Sequence, residues 1–382
     1  MQMPQIKKLP KAEASAAVCV LVIGILLQGF TGLLGTENPY NSYALQAARW
    51  LGGHLDLGQN YAHLEIATFE GRYFISFPPF PSVVLLPFVW LFGTNTPDGC
   101  ISLGFAAMGA FYAARLALFY GKSAKESVFW ALFVTLGSNL LSIMCTGWVW
   151  FLAQTMEFAF LMAAFCKAKQ GKTCVALLLL AAAAGCRPFS VLCAPVLLYL
   201  LHMAGCRFSK KTVLRALPAA GVVIFYGVLN FLRFGNPLEF GHNYLPEFLA
   251  EPQFGFSYVS ENAKTLFRMP ALRDGALIFP RFNGFAFFLA SPLFLAYGAQ
   301  FICRKKEWID YGTFALLFLW LFLFCMHRTM GGWHFGHRYT VDLLPLAFWG
   351  CMRLGGKTAM WHIPLFLMGF ALHVYGFIQL LS

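Results

Sequence analysis

Charge is scarce in this chain. Only 12% of its 382 residues are charged, and only 16 are acidic against 28 lysines and arginines. A soluble globular domain carries about twice that charged fraction, so a soluble enzyme or binding module is excluded. No polar stretch is long enough to form a separate soluble domain, and no repeat or low-complexity tract appears, which excludes solenoids and disordered arrays. The 11 cysteines form no Cys-x-x-Cys pair and no metal-type spacing. Scattered through apolar runs, they read as small apolar packers. What the chain does have is apolar sequence: 59% hydrophobic residues and a mean hydropathy of +0.64.

The apolar runs recur from end to end at bilayer-crossing length. They fall near 14–34, 79–93, 100–120, 127–146, 149–166, 173–186, 188–204, 213–233, 279–302, 310–328, 339–352 and 358–380. The fold class expected is all-α: a polytopic transmembrane bundle, a single integral-membrane domain over 1–382. The first run is too long for a signal-peptide core and lacks a cleavage site, so it reads as a retained span. The net charge of +12 comes from short clusters between the runs: Lys7/Lys8/Lys11, Lys122/Lys125, Lys167/Lys169/Lys172, Arg207/Lys210/Lys211/Arg215, Arg304/Lys305/Lys306 and Arg353/Lys357. That pattern marks cytoplasmic loops and gives no nucleic-acid signal. All clusters share one side only if 79–93 does not cross. That segment is short and carries Pro78, Pro79 and Pro81, so it is expected to lie on or dip into the outer face. About eleven spans follow, with the N-terminus cytoplasmic and outer-face loops at 35–99 and 234–278.

Polar residues concentrate in those outer loops. Residues 38–51 place Tyr40, Tyr43, Ala44, Ala47, Trp50 and Leu51 at helical spacing, predicting a helix on the membrane surface. Glu37 stands just ahead of it, a candidate general base or simply a helix cap. Asn38 and Tyr40, just after it, are substrate-binding candidates, as are His242, His334 and Tyr339 in the segments below. Gln154 and Glu157, three apart on one helical face near the outer end of a span, are substrate-binding candidates or an internal hydrogen-bonding pair. The stretch GGWHFGHRYTVDLLP places His334, His337, Arg338, Tyr339 and Asp342 at a membrane edge. Arg338 and His337 suit a phosphate, whereas the bland reading pairs Arg338 with Asp342 across a helical turn. Two histidines three apart do not by themselves make a metal site. Arg187, at the turn between 173–186 and 188–204, is a second phosphate candidate or a snorkelling arginine. The loop RFGNPLEFGHNYLPEF adds His242, and with the amphipathic stretch FSYVSENAKTLFRMP it reads as a lid or substrate surface.

The order of these features is one span, an acidic residue, an interfacial helix, GRYF…PPFPSVVLLP, then RFGNPLEFG and W-x-F-G-x-R-Y-x-x-D-x-L-P. It resembles bacterial integral-membrane glycosyltransferases of the GT-C class, whose relatives include protein O-mannosyltransferases, the lipid A aminoarabinose transferase and the catalytic subunit of oligosaccharyltransferase. The resemblance covers most of the chain in layout, with motif identity confined to those patches. It implies a bacterial plasma-membrane enzyme that moves a sugar from a polyprenyl-phosphate donor to a lipid, glycan or protein acceptor on the non-cytoplasmic face. Glu37 matches the acidic residue of the first outer loop in that class. Asn38 stands where a second acid often follows, and the 145–150 turn also lacks the usual acid. A paired-carboxylate metal site is therefore not carried over, and a divalent metal stays open. The competing class is a non-enzymatic transporter or flippase of lipid-linked sugars. Such proteins show internal repeats and polar groups at the midplane, whereas here the polar groups gather at one face. Glycan polymerases, ligases and structural membrane proteins are further alternatives.

Overall fold

A backbone surrounded by apolar side chains and lipid must bond to itself, and helices do this segment by segment. The computed structural model of the protein describes residues 11–356 and 358–381, and it is mostly helical. Lys7, Lys8 and Lys357 lie outside the described residues. Among the described residues six helices are long and apolar enough to cross a membrane: Lys11–Phe30, Asp98–Phe119, Val149–Lys169, Lys210–Phe234, Trp308–Met326 and His362–Leu381. Shorter apolar helices span Phe80–Phe92, Thr173–Ala184, Pro188–Met203 and Leu293–Cys303. These mark a membrane protein.

Four expected spans are interrupted, one of them 188–204, which begins as the 3-10 turn Pro188–Cys193 before Ala194–Met203 becomes α-helical. The 127–146 run forms Ala124–Thr135 and Leu140–Met144 with a break at 136–139. The 279–302 run starts as irregular backbone, and only Phe287–Ala290 and Leu293–Cys303 are helical, because Pro280, Gly284 and Pro292 oppose a continuous helix. The 339–352 run begins as a 3-10 turn, Arg338–Leu343, before Leu344–Leu354 becomes α-helical.

Val149–Lys169 forms the centre of the bundle, packed against Asp98–Phe119 and Thr173–Ala184. The Asp98–Phe119 helix buries Ala106, Gly109, Ala110, Ala113 and Ala117. A Cβ at Gly109 would overlap the Phe158 ring. Lipid tails are as apolar as leucine, so close approach through small residues provides the packing between such helices. Lys210–Phe234 instead exposes Val213, Leu217, Ile224, Val228 and Phe231, an apolar face suited to lipid.

Side-chain contacts distinguish two ends of the bundle. At one end Arg115 meets Glu13 at 3.2 Å, Lys169 lies 4.3 Å from the Tyr120 ring, and Lys122 donates to the Gly356 carbonyl. Arg353 donates there to Asp310 (2.7 Å) and Glu307 (2.6 Å). The other end, about 25 Å along the Asp98–Phe119 helix from Arg115, is built of loops. There Gln28 donates to the Cys145 carbonyl at 2.7 Å, and Arg233 donates to the Ile75 carbonyl. Helix Phe80–Phe92 starts beside Gly185, where the Phe80 amide bonds the Gly185 carbonyl (3.0 Å) and the Phe80 ring meets Phe160, and it finishes at the loop end, where Asn41 bonds the Thr94 carbonyl (3.2 Å).

The surface helix begins later than the spacing predicts, at Ser42, and runs to Leu51. Asn38 precedes Pro39, which disfavours helix, and its side-chain oxygen takes the Tyr40 amide at 2.9 Å. Tyr43, Ala44 and Ala47 are buried as expected, whereas Leu51 is exposed. Two hairpins were not anticipated: Ile66–Phe69 with Arg72–Ile75, and Ala271–Arg273 with Ala276–Ile278. Their turns, Glu70-Gly71 and Asp274-Gly275, have positive φ at both positions. An X-Gly turn of that kind matches the twist of the flanking strands and was the signal available in the sequence.

Candidate functional site at the loop end

A cavity of about 310 Å³ opens at the loop end. Its walls include Phe77, Arg187, Phe189, His242, His327 and Tyr339, and the 235–258 loop closes one side with Glu239 and Gln253. This is the loop that the sequence offered as a lid or substrate surface.

Arg187 reaches the cavity because the Thr173–Ala184 helix stops just before it and Pro188 starts the next turn. Its Nε donates to Asp342 Oδ2 at 2.8 Å, and its guanidinium lies 5.4 Å from the Tyr339 ring centroid. No described residue takes its Nη hydrogens. Burial opposes its charge, but the Asp342 carboxylate outweighs that and holds the guanidinium above its ordinary range. The other Asp342 oxygen accepts from Gln154 Nε2 at 2.6 Å. The helix-face pair of Arg338 with Asp342 does not form. A 3-10 turn has three residues per turn, so positions four apart diverge, and Arg187 takes the carboxylate instead.

Arg338 donates through Nε to the Gly331 carbonyl at 2.8 Å. Its guanidinium sits 4.9 Å from the Tyr339 centroid and 5.8 Å from that of Trp150. Its Nη1 is buried without a partner. Burial, with Arg187 nearby, pushes its proton affinity down. Two guanidiniums thus share one tyrosine ring, and among the described residues the only carboxylate bonded to either is Asp342.

His334 and His337 are fully buried, with ring centroids 6.2 Å apart. The ring nitrogens of His337 have no hydrogen-bond partner among the described residues. Those of His334 make no well-formed bond, and only the Gly331 and Gly332 backbones lie within looser reach. Burial drives both imidazoles to the neutral form, with His337 pushed down to about 3. His337, expected to bind phosphate, carries no charge for that role and is not on the cavity wall. Its segment is held by Asn139, which donates to the Phe335 carbonyl at 3.0 Å and accepts the His337 amide. Gly336, at φ +83°, leaves room for that amide where a Cβ would collide with it.

The remaining candidates divide. Tyr339 and His242 line the cavity, and His242 Nδ1 lies 2.5 Å from the Ser76 carbonyl oxygen. Gln154 and Glu157 do not bond each other. Gln154 ties Asp342 and the Arg338 carbonyl (2.8 Å), and Glu157 accepts from Ser190 Oγ at 2.9 Å. Tyr40 packs on Trp148 and Trp150, with centroids 5.1 Å away in each case. Glu37 is exposed, accepts from Asn95 Nδ2 at 2.7 Å and is not a cavity-lining residue. Asn38 donates to Asp98 Oδ2 (2.8 Å) and to the Gly147 carbonyl (2.9 Å).

Asp98 is a site-region acid that sequence reasoning passed over. It is buried at the start of its helix, accepts from Thr96 Oγ1 at 2.5 Å, and adjoins the otherwise acid-free 145–150 turn, where Gly147 at φ +68° permits the contact. The Thr-x-Asp pattern ahead of an apolar run was its signal. His327, pushed down to about 3 by burial, and Gln253, 3.1 Å from His327 Nε2, were also missed. They meet only through tertiary folding. Among the described residues no group of three or more His, Cys, Asp or Glu is arranged to hold a metal ion. Comparison of the chain with protein-family models, with curated proteins and with solved structures finds no match.

Proposed function

We propose that this protein is a membrane glycosyltransferase of GT-C type that takes a sugar from a polyprenyl-phosphate donor at its loop end and passes it to a lipid, glycan or protein acceptor. The observation that carries the reading is the pair of guanidiniums on the Tyr339 ring beside an aromatic-walled cavity. Guanidinium hydrogens left unspent on Arg187 in a partly enclosed site suit an anion, and phosphate is the anion that a lipid-borne sugar would present. Phe77, Phe189, Phe254 and Phe324 give the cavity apolar walls suited to the less polar face of a sugar ring, with His242, Asn243 and Gln253 as hydrogen-bonding groups.

In this reading Arg187 binds the departing phosphate through its Nη hydrogens. Arg338 contributes field more than contact, and its charge stabilises the negative charge that grows as the glycosidic C–O bond breaks. Lipid phosphate is already a competent leaving group, so no step here runs through a metal.

The membrane placement completes the proposal. Eleven crossings, with Phe80–Phe92 lying on or dipping into the outer face, is the reading favoured by the charge pattern. The described basic clusters then face the cytoplasm, and the cavity faces outward across a bacterial plasma membrane.

The decisive experiment uses the purified full chain in lipid nanodiscs with synthetic polyprenyl-phosphate hexoses and pentoses. Release of polyprenyl phosphate is expected, and Arg187→Ala should lower kcat/KM by about 100-fold or more. Transport of the donor across a vesicle membrane without cleavage would overturn the transferase reading in favour of a flippase.

A further inference from the structure

The end of the bundle away from the loops holds a second cavity, of about 350 Å³. It lies where helix Leu293–Cys303 stops and helix His362–Leu381 begins, and its wall includes Gln300, Cys303, Arg304, Gly356, Trp361 and His362. Small-ligand sites run from about 300 to 1,000 Å³, so this one has room for a headgroup-sized molecule. The Arg304 guanidinium packs on Gly356, 2.9 Å from the position a Cβ would take there. No described residue accepts a hydrogen bond from that guanidinium or forms an ion pair with it.

Two buried side chains on the same wall are also unspent. His362 is 3% exposed, and its Nε2 has no partner among the described residues. Its Nδ1 meets the Ala359 amide (3.0 Å) and carbonyl (2.9 Å). With the amide donating to Nδ1, the ring proton sits on Nε2 and makes it a donor. Gln300 is 7% exposed, and its Oε1 is buried without a partner. Buried polar groups left unbonded are costly and rare. A free donor and a free acceptor on one cavity wall, beside an unpaired guanidinium, suit a ligand that bonds all three.

Charge selects the ligand. Lys122 donates to the carbonyl of Gly356, adding a second cation. The 20-residue helix His362–Leu381 starts at the cavity with the positive end of its dipole. Among the described residues no carboxylate lines the cavity. Glu126, whose charge acts on Lys122, is engaged by the Ser123 and Thr358 amides (3.0 and 2.9 Å). A phosphate fits this surround, whereas an ammonium headgroup would find no carboxylate to meet it. The surroundings are apolar: Ile302, Met360 and Trp361 are exposed beside the cavity, at the end of a membrane-length helix, where tryptophan marks the bilayer interface.

We infer that this cavity binds a phosphate group, presented by an anionic phospholipid of the adjoining leaflet. The phosphate takes the Arg304 guanidinium and His362 Nε2, a hydroxyl of a glycerol-type headgroup donates to Gln300 Oε1, and the acyl chains lie along Ile302 and Met360. Basic pockets between membrane helices bind lipid headgroups in this way. The site shares no residue with the loop-end cavity, so it stands whether or not the transferase reading does.

The test follows the melting temperature of the full chain, delipidated in detergent, against added phosphatidylglycerol, phosphatidylcholine or inorganic phosphate. Phosphatidylglycerol is expected to raise it in a saturable way, and the other two to leave it unchanged. Arg304→Gln should weaken the apparent affinity for phosphatidylglycerol by about 10-fold or more, as the loss of charge-assisted hydrogen bonds requires. Lys305→Gln, in the same basic cluster but not on the cavity wall, should weaken it by only about twofold. Cys303→Trp, at an exposed position of the wall, should block binding while the lipid-free melting temperature stays as in the wild type. Equal stabilisation by phosphatidylcholine, or equal losses in Arg304→Gln and Lys305→Gln, overturns the inference. Stabilisation by inorganic phosphate but not by phosphatidylglycerol overturns the lipid as the source and assigns the phosphate to solution.

Discussion

At the residue scale the site is governed by which side chains keep their charge. Arg187 keeps it because Asp342 lies 2.8 Å away. Asp342→Asn should leave the guanidinium unanchored, raising KM for a lipid-phosphate donor by about tenfold, roughly one charge-assisted hydrogen bond, with a smaller effect on kcat. Steady-state kinetics with varied donor checks this. His327 and His337 behave in the opposite way, since burial holds both near 3 against an ordinary value of 6.5. Below pH 6.5 the unfolded chain takes up protons that the folded chain refuses. Each group therefore contributes stability that is present above pH 6.5 and lost as pH falls toward 3. Thermal unfolding in detergent should show stability dropping over that window by up to about 1.4 kcal/mol per pH unit for each histidine. His337→Gln should flatten the slope, and an unchanged slope would remove His337 from the account.

At the scale of single elements, interruptions in the helices make the site. Pro188, Pro280, Gly284 and Pro292 break apolar runs at the loop end, and the freed backbone is satisfied by side chains such as Asn139 and Arg268, the latter donating to the Gly284 carbonyl at 3.1 Å. Gly336 is constrained in the same way, with its left-handed φ and the Asn139 amide occupying the space of a Cβ. Gly336→Ala is expected to cost about 1–3 kcal/mol and to displace the neighbouring Arg338, so that melting temperature and donor turnover fall together. The helical periods and several of their ends were legible in the sequence. The 3-10 turn at Arg338–Leu343 was not, because its period differs from an α-helix only in which neighbour is chosen, and that choice is made by Gln154 and Arg187 from distant parts of the chain.

At the scale of the whole molecule, the proposed arrangement rests on the charge pattern, in which the basic clusters share one side only if Phe80–Phe92 does not cross. In a background with the exposed Cys100 and Cys303 replaced by serine, cysteines introduced at His63 and at Asn95 flank helix Phe80–Phe92. A membrane-impermeant maleimide should label both from the same side of sealed vesicles, and Lys305→Cys from the other. Labelling of His63→Cys and Asn95→Cys from opposite sides would make that helix a crossing and change the span count.

The amino-acid sequence by itself determined that this is a helical membrane protein, where its apolar runs lie, and that its polar groups gather in a few loops. Those properties depend on local composition and on the cost of burying unpaired backbone and charge in lipid. Only the tertiary structure decided which polar groups meet. It placed Arg187 on Asp342, gave both arginines the same tyrosine ring and turned Glu37 toward Asn95. Such pairings join residues up to 155 positions apart, and no local rule of spacing or propensity reaches that far. They are set by how the helices pack and by which lone pairs remain to be satisfied once they have.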